Sequence, residues 1–456
     1  MSCLPSCGAS ACSIGRFPFS RRPTVPTTDA LYSLDATTLA LRLARRELTA
    51  EALVQDCLAR IAEREPQVRA FAHLDAESAL ATARALDAGP IRGPLHGLPL
   101  GMKDVFDTSD MPTAYGSPIH AGHRPAGDAA IVALCREAGA VLVGKTVTTE
   151  FATYHPGPTC HPHAPDRTPG GSSSGSAAAV ADGMLPLATG TQTAGSIIRP
   201  AAFCGVVGFK PSHGRVSRSG LKMLSETLDT VGGFGRTVPD VALLASVLAG
   251  DAGLRVSSEA LHAGGVRIGV FAGPDAARMD ADMQALWERV CARLSRLGAQ
   301  PGDLAVPAWF EPLAGLQTEV MQAEMARSLS HERLRHADLF SPRLAGMIEA
   351  GLSLDAAEHV RHLQQVHDAR HAARELFAQH DLLIAPSTIG EAVPKVEGTG
   401  DPLFCRAWTV LGLPCLHLPL GVGRHGLPIG LQLIGPALAD QAVLQAGARL
   451  HDRLRD

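Results

Sequence analysis

The chain of 456 residues is 46% hydrophobic and 19% charged, a composition that supports a well-filled globular core. At about 100–200 residues per domain, this length allows two to four domains or one large one. The 41 basic residues face 45 acidic ones, so no excess positive charge is available for a nucleic-acid backbone. No uninterrupted apolar run reaches the roughly 20 residues that cross a bilayer. We therefore expect neither a nucleic-acid nor a membrane partner.

Residues 1–28 differ in character from the rest of the chain. Their Arg residues follow the weakly apolar part, the reverse of the order in a secretory signal. We interpret them as a disordered N-terminal extension or the product of a start codon placed too far upstream, with a cleaved or lipoprotein-type leader as a minor alternative.

The ten cysteines include no CxxC pair, and scattered thiols in a long chain fit a reducing compartment. This predicts a cytoplasmic protein.

Helical and strand patterns alternate along the rest of the chain. Asp35 and Thr49 are predicted N-caps because apolar residues at helical spacing follow them. Helices are expected at 35–46, 49–64, 76–87, 129–138, 278–297, 316–338, 354–379 and 440–453, and strands at 141–144, 266–271, 381–387, 415–421 and 430–435. The long polar-faced helices 316–338 and 354–379 are expected to form an insert on the surface. The alternation predicts an α/β fold: a single large domain, residues 29–456, with a mixed, twisted β-sheet covered on both faces by helices.

The segment from 169 to 212 contains two clusters of small residues. Residues 170–176 read GGSSSGS before a predicted helix, and residues 193–196 read TAGS after an apolar strand. Loops with few side chains expose backbone N–H groups, which suits an oxyanion hole or a phosphate cradle. The phosphate alternative is weak because GxxxxGK[ST] and GxGxxG are both absent. Tight packing between a strand and a helix is the structural alternative.

Lys103 gives this segment a chemical interpretation. The chain has only five lysines, and this one follows the apolar stretch GLPLGM. A serine hydroxyl is a weak nucleophile until a base activates it. A desolvated lysine can be that base, because burial disfavours its charged form. Together, the lysine and the serine-rich loop indicate a hydrolase.

The sequence resembles the amidase-signature family. The pattern GGSSSGSAAAVA…GTQTAGSIIRPAAFCGVVGFKPS is similar to the signature of that family nearly end to end. The resemblance covers roughly residues 31–456 and is weakest between about 250 and 380. Five shorter motifs support it: GLPLGMKDVFDT (97–108), GKTVTTEFA (144–152), LDTVGGFGRTVPD (228–240), DLLIAPS (381–387) and GLPIGLQLIG (426–435).

This resemblance implies a Ser–cis-Ser–Lys triad of Lys103, Ser172 and Ser196, with a cis peptide bond before Ser172. Ser196 would be the nucleophile, Ser172 would relay protons, and neutral Lys103 would be the base. No metal or organic cofactor is implied. The oxyanion hole would consist of the backbone N–H groups of one turn: Thr193, Ala194, Gly195 and Ser196.

Three positions near the predicted triad differ from many members of the family. Gln192 stands where many relatives have Asp, and an amide can still hold the loop by hydrogen bonds although it lacks the charge. Ala194 replaces a common Gly. Both weaken the similarity to the glutaminase component of tRNA-dependent amidotransferases without removing a triad member. Arg199 lies three residues after Ser196, as in the malonamidase-like branch, and either pairs with a local carboxylate or binds a carboxylate of the substrate.

Other residues of the motifs are interpreted as structural. Lys145 and Glu150 match a family motif without a catalytic role, and Asp229 is a turn former near the site. Cys204 is interpreted as a packed core thiol, since its motif has no activating His. The segment 160–163 reads CHPH and could ligate a metal, but we interpret it as a polar loop.

The leading functional hypothesis is an amidase that hydrolyses a small-molecule carboxamide and releases ammonia or an amine. The alternatives are a glutaminase subunit of a tRNA-dependent amidotransferase and a catalytically inactive amidase fold that serves as a binding subunit. The intact triad residues argue against the inactive form. A homodimer is left open.

Overall fold

The computed structural model describes residues 30–256, 266–297 and 304–455. The extension predicted at 1–28 lies outside the described residues. Asp35 and Thr49 cap the first two helices as predicted, since their side chains accept the backbone N–H groups of Thr38 and Ala52. No helix among the described residues is long and apolar enough to span a membrane.

A ten-stranded sheet forms the centre of the fold, in the order β1-β3-β2-β4-β6-β5-β9-β10-β8-β7. The pairs β2–β3, β2–β4 and β7–β8 are parallel and the others antiparallel, so the sheet is mixed as predicted. The strands are β1 Phe71–Leu74, β2 Pro99–Lys103, β3 Val141–Thr146, β4 Leu187–Gln192, β5 Val207–Lys210, β6 Thr230–Gly235, β7 Ile268–Val270, β8 Leu382–Pro386, β9 Cys415–Val422 and β10 Pro428–Ile434.

Fourteen α-helices pack around this sheet within the described residues. They are α1 Ala36–Ala44, α2 Ala50–Val68, α3 Ala76–Ala88, α4 Ala130–Glu137, α5 Ser174–Ala181, α6 Ile198–Cys204, α7 Val238–Leu248, α8 Ala281–Arg296, α9 Leu313–Ser328, α10 Ser330–His336, α11 Pro342–Ser353, α12 Ala356–Ala372, α13 Leu403–Val410 and α14 Asp440–Leu454.

The central strands are buried on both faces of the sheet. Every residue of β2, β3, β4, β5 and β6 is buried. Successive side chains of a strand point to opposite faces, so complete burial requires a cover on each side. This confirms the predicted single large α/β domain with helices on both faces.

The parallel pair β2–β4 determines where polar groups meet. Lys103 is the last residue of β2, and Gln192 is the last residue of β4. The carboxyl ends of parallel neighbours lie at the same edge of a sheet. The loops that follow these strands therefore start close together.

The predicted surface insert is wrong in its first half. Residues 316–338 do not form one exposed helix: α9 and α10 are separate, and Leu329 between them is fully buried. Helix α9 buries Gln317 and Glu324 along with its apolar residues. These polar side chains are buried because they have hydrogen-bond partners in the interior. The polar residues of this helix therefore do not mark a solvent-exposed face. The other predicted helix corresponds to α12, which is mostly exposed.

Candidate active site

Lys103 and Ser172 meet at the carboxyl end of β2. The Lys103 Nζ lies 2.8 Å from the Ser172 Oγ and 2.7 Å from the Oγ1 of Thr191 on β4. Both Lys103 and Ser172 are buried. The peptide bond between Gly171 and Ser172 is cis, as the resemblance implied. The structure therefore brings together two members of the predicted triad.

The Lys103 ammonium group is strongly desolvated. Its side chain has no solvent exposure, and burial lowers the pKa of Lys103 from 10.5 to about 7, with the negative charge of Asp229 acting in the opposite direction. A lysine with this pKa is substantially neutral near neutral pH. Its lone pair can then accept a proton from the adjacent serine hydroxyl.

Ser196 lies in the turn between β4 and α6, four residues after the end of the strand. Strand β4, which leads into the turn, adjoins the Ser172 segment, because the Thr191 N–H donates to the Ser173 Oγ over 3.4 Å. The carbonyl oxygens of three residues in this turn are engaged: those of Thr193, Ala194 and Gly195 accept from Gln317, Thr409 and the Arg199 N–H, respectively.

The backbone N–H groups of the same turn are available. Those of residues 193–196 donate no hydrogen bond within the part of the chain that the structure describes. Because the carbonyls are fixed by other partners, the turn has one fixed orientation. Free N–H groups on a fixed turn are the arrangement an oxyanion hole requires.

Four polar side chains hold this turn, and only Gln192 was assigned this role from the sequence. Gln192 Oε1 accepts the N–H groups of Ile197 and Ile198 over 2.9 and 3.0 Å, and its Nε2 donates to Thr409 over 3.0 Å. The amide therefore does hold the loop by hydrogen bonds. The others are Gln317, Thr409 and Asp229.

Asp229 connects the turn with a neighbouring loop. Its Oδ1 accepts the Thr193 hydroxyl over 2.5 Å, and its Oδ2 accepts the N–H groups of Leu224 and Ser225. Burial raises the pKa of Asp229, while these three hydrogen bonds favour its carboxylate form. It is a turn former as interpreted, and it also contributes charge near Lys103.

Arg199 is buried at the start of α6, and its side chain contacts two backbone carbonyls. Nη1 donates to the Gly400 carbonyl over 2.7 Å, and Nη2 donates to the Gly171 carbonyl over 2.6 Å. Among the described residues it makes no ion pair with a carboxylate. Of the two roles considered from the sequence, the local carboxylate partner is therefore absent, and the substrate-binding role stays a prediction.

The residues interpreted as structural have structural contacts. Lys145 forms a buried ion pair with Asp104 at 3.2 Å, and Glu150 accepts from Ser341 at the start of α11. Cys204 is buried, and burial raises the pKa of its thiol.

The segment CHPH packs into the protein. His161 Nε2 lies 2.8 Å from the Phe203 carbonyl oxygen, and burial lowers its pKa to about 4. Among the described residues, no group of three or more His, Cys, Asp or Glu is placed to hold a metal ion.

Solved structures of amidases share this fold. A crystal structure of an amidase superposes with a TM-score of 0.84 at 32% identity, covering 92% of this chain and 100% of the other. The peptide amidase from Stenotrophomonas maltophilia gives 0.78 at 31% identity, with 92% and 97% covered. The 6-aminohexanoate cyclic dimer hydrolase gives 0.83 at 26%, with 93% and 97% covered.

Fold and relatives together define a hydrolase of the amidase class. The profile of the Amidase family matches residues 52–444, and the chain belongs to this family. It is also 37% identical to the A-type subunit of the glutamyl-tRNA(Gln) amidotransferase from Acidothermus cellulolyticus, over 92% of this chain and 94% of that protein.

Proposed function

We propose that this amidase hydrolyses a small carboxamide through an acyl-enzyme on Ser196 and releases ammonia or an amine. The observation that carries the proposal is the contact between the fully buried Lys103 Nζ and the Ser172 Oγ at 2.8 Å. A neutral amine beside a serine hydroxyl can act as a proton relay. The second serine, Ser196, follows β4 at the same edge of the sheet.

The chemistry proceeds in two halves. Neutral Lys103 takes the Ser172 proton, Ser172 takes the Ser196 proton, and the Ser196 oxygen attacks the amide carbonyl carbon. The negative oxygen of the tetrahedral intermediate binds the free N–H groups of the turn at 193–196, each able to stabilise it by roughly 3 kcal/mol. Ser172 gives a proton to the leaving nitrogen as the C–N bond breaks, and Lys103 returns its proton to Ser172. Water then hydrolyses the ester by the reverse relay.

A fluorophosphonate probe tests the nucleophile, because it labels only an activated serine. We expect the wild-type chain to be labelled and Ser196→Ala to lose both the label and the release of ammonia from a panel of carboxamides. Ser174→Ala is the control, since the Ser174 hydroxyl donates only to the Val147 carbonyl at 3.3 Å. Labelling of the Ser196→Ala variant at the same rate would contradict the assignment. An unlabelled wild-type chain would instead favour the inactive binding protein.

The similarity to the amidotransferase relative favours a second candidate. In that case the chain would act as a glutaminase that supplies ammonia to a protein partner for tRNA-linked amidation. Hydrolysis of simple amides by the purified chain alone favours the first candidate. Glutamine hydrolysis that requires a tRNA-binding protein encoded beside this gene favours the second. A homodimer and a cytoplasmic location stay predictions.

A further inference from the structure

Cys160 and Lys395 form a close pair outside the predicted triad. The Lys395 Nζ lies 3.2 Å from the Cys160 Sγ and donates to the Pro158 carbonyl over 2.7 Å. Both residues are half-buried. The Cys160 N–H donates to the Val68 carbonyl over 2.8 Å. The Lys395 N–H donates to the Asp166 carbonyl over 2.9 Å, so the backbones hold the amine and the thiol next to each other.

Among the described residues, no carboxylate takes up the charge of Lys395. The lysines that form ion pairs there are Lys145 and Lys222. A cation beside a cysteine favours the thiolate, which is the form that reacts with oxidants. Cys160 combines this neighbour with solvent access. Five of the other described cysteines are buried, and burial raises the pKa of each thiol: Cys57, Cys135, Cys204, Cys405 and Cys415.

A small cleft leads from this pair to the segment that carries Ser172. Lys395 lines the cleft, as do Thr159, the neighbour of the cysteine, and Gly170. Its space of about 10 Å³ is close to what one water-sized molecule needs. Thr399 also lines the cleft and is 3% exposed, and its Oγ1 has no hydrogen-bond partner within the described part of the chain. The cleft therefore suits a very small polar ligand.

We propose that Cys160 and Lys395 are a peroxide-reactive pair, which hydrogen peroxide converts into a covalent sulfur–nitrogen crosslink. The Cys160 thiolate attacks one peroxide oxygen, so an S–O bond forms as the O–O bond breaks. The departing hydroxide takes a proton from the Lys395 ammonium group and leaves as water. Sulfur is oxidised by two electrons and the peroxide is reduced, which leaves a sulfenic acid beside a neutral amine.

The second step needs no further oxidant. The Lys395 nitrogen attacks the sulfenic sulfur of Cys160, the S–O bond breaks, and the departing hydroxide takes a proton from that nitrogen and leaves as water. A nearby nitrogen converts a sulfenic acid to a sulfenamide in this way. A dithiol reverses the crosslink, because it is oxidised to a disulfide while the S–N bond is reduced to a thiol and an amine.

The crosslink acts on the catalytic segment through two contacts. Thr399 packs on Gly171, where a β-carbon would lie 2.8 Å from the Thr399 Cγ2. The Gly400 carbonyl accepts from Arg199, which also binds the Gly171 carbonyl. Crosslinking brings the amine and the sulfur from 3.2 Å to bonding distance and so shifts the backbone that carries Thr399 and Gly400. A displacement of catalytic groups by about 1 Å can cost roughly 100-fold in rate, so oxidation should lower kcat reversibly.

The test treats the full chain with hydrogen peroxide, with and without dimedone to trap sulfenic acids, and maps the peptides by mass spectrometry. We expect a peptide pair joined through Cys160 and Lys395, lighter than the sum of its parts by two hydrogen atoms, that dithiothreitol separates. Lys395→Arg keeps the positive charge but has no amine to condense, so its Cys160 should carry dimedone instead. Cys291→Ser removes another half-buried cysteine and is the control, which should form the crosslink like the wild type.

A Cys160 that stays unmodified, or that carries dimedone in the wild type without any crosslink, would overturn the inference. The kcat of the oxidised wild type should fall at least about fivefold and recover with dithiothreitol, whereas Cys160→Ser should keep its rate. An equal, reversible loss in Cys160→Ser would contradict the effect assigned to the crosslink. Only this rate measurement rests on the proposed amidase function. The crosslink is detected whether or not the chain hydrolyses any amide, so the two can fail separately.

Discussion

Arg199 donates a hydrogen bond of 2.6 Å to the carbonyl oxygen of Gly171. This contact joins the helix that follows Ser196 to the residue that precedes Ser172. The two serines come from loops 24 positions apart in the sequence, and the guanidinium bridges these loops. Through its second amino group it also binds the carbonyl of Gly400, which lines a cavity of about 620 Å³.

The first prediction therefore concerns Arg199→Met. If the guanidinium positions the two serine loops, kcat should fall by at least an order of magnitude on half-amides and neutral amides alike, with little change in KM. If it binds substrate, only half-amides should suffer, mainly in KM. Steady-state kinetics on half-amides of dicarboxylic acids and on neutral amides of equal length distinguish the two roles. We expect the first pattern, since both amino groups already bind carbonyls.

Lys103 gives a prediction about pH. Its pKa of about 7 means that the neutral form increases as the pH rises through 7, so kcat/KM should rise with a midpoint near that value. Lys103→Arg should be nearly inactive at every pH up to 9, because a guanidinium stays protonated there. A pH–rate profile of both proteins provides the measurement. Substantial activity in the Arg variant would refute the role of Lys103 as base.

Asp229 should tune that midpoint. Its negative charge favours the protonated form of Lys103 and so raises the pKa of the lysine. Asp229→Asn should therefore move the midpoint of the pH profile to lower pH, in addition to lowering kcat. Thr193→Val removes the 2.5 Å hydrogen bond to Asp229 but leaves the carboxylate and its two backbone hydrogen bonds, so kcat should fall while the midpoint moves less than in Asp229→Asn. A midpoint that fails to move in Asp229→Asn would argue against electrostatic coupling.

The last prediction concerns Gln192, whose side chain accepts two buried N–H groups. Gln192→Ala would leave the N–H groups of Ile197 and Ile198 without partners, at a cost of about 1–3 kcal/mol each. We expect a lower urea midpoint and a reduced kcat, since the turn at 193–196 would lose its fixed orientation. Thr409→Ser keeps the hydroxyl that Gln192 contacts and should behave like the wild type. Equal stability of Gln192→Ala and wild type would contradict this account.

The parts of the site that could be predicted from the sequence lie in short, contiguous motifs. Lys103, Ser172 and the cis bond before Ser172 belong to such motifs, and the structure places them together. Gln317 and Thr409 could not be predicted, because they reach the turn from helices more than 120 and 210 residues away along the chain. Their roles depend on tertiary packing, which no local pattern records.

The same reason explains why the prediction of an exposed helix at 316–338 was wrong. Periodicity assigns polar residues to solvent, but Gln317 and Glu324 are buried because each finds hydrogen-bond partners in a loop of the site. Glu324, for example, accepts the Thr227 hydroxyl over 2.5 Å. Buried polar residues of this kind make a core helix resemble a surface helix in sequence.

Neighbouring positions of helix α9 have different roles: some line a cavity and others anchor the loops of the site. This difference matters for changing the substrate range of the enzyme. Thr318 and Gln322 line a cavity of about 620 Å³, whereas Gln317 and Glu324 anchor the loops of the site. Met321 does both, because it lines the cavity and its Sδ accepts from Gln317 Nε2 over 3.5 Å. A mutant library confined to Thr318 and Gln322 would reshape the cavity and leave the anchors intact. Randomising the whole helix would mostly yield enzymes with a displaced turn. The scaffold thus places positions that selection can vary within one or two residues of positions that it must keep.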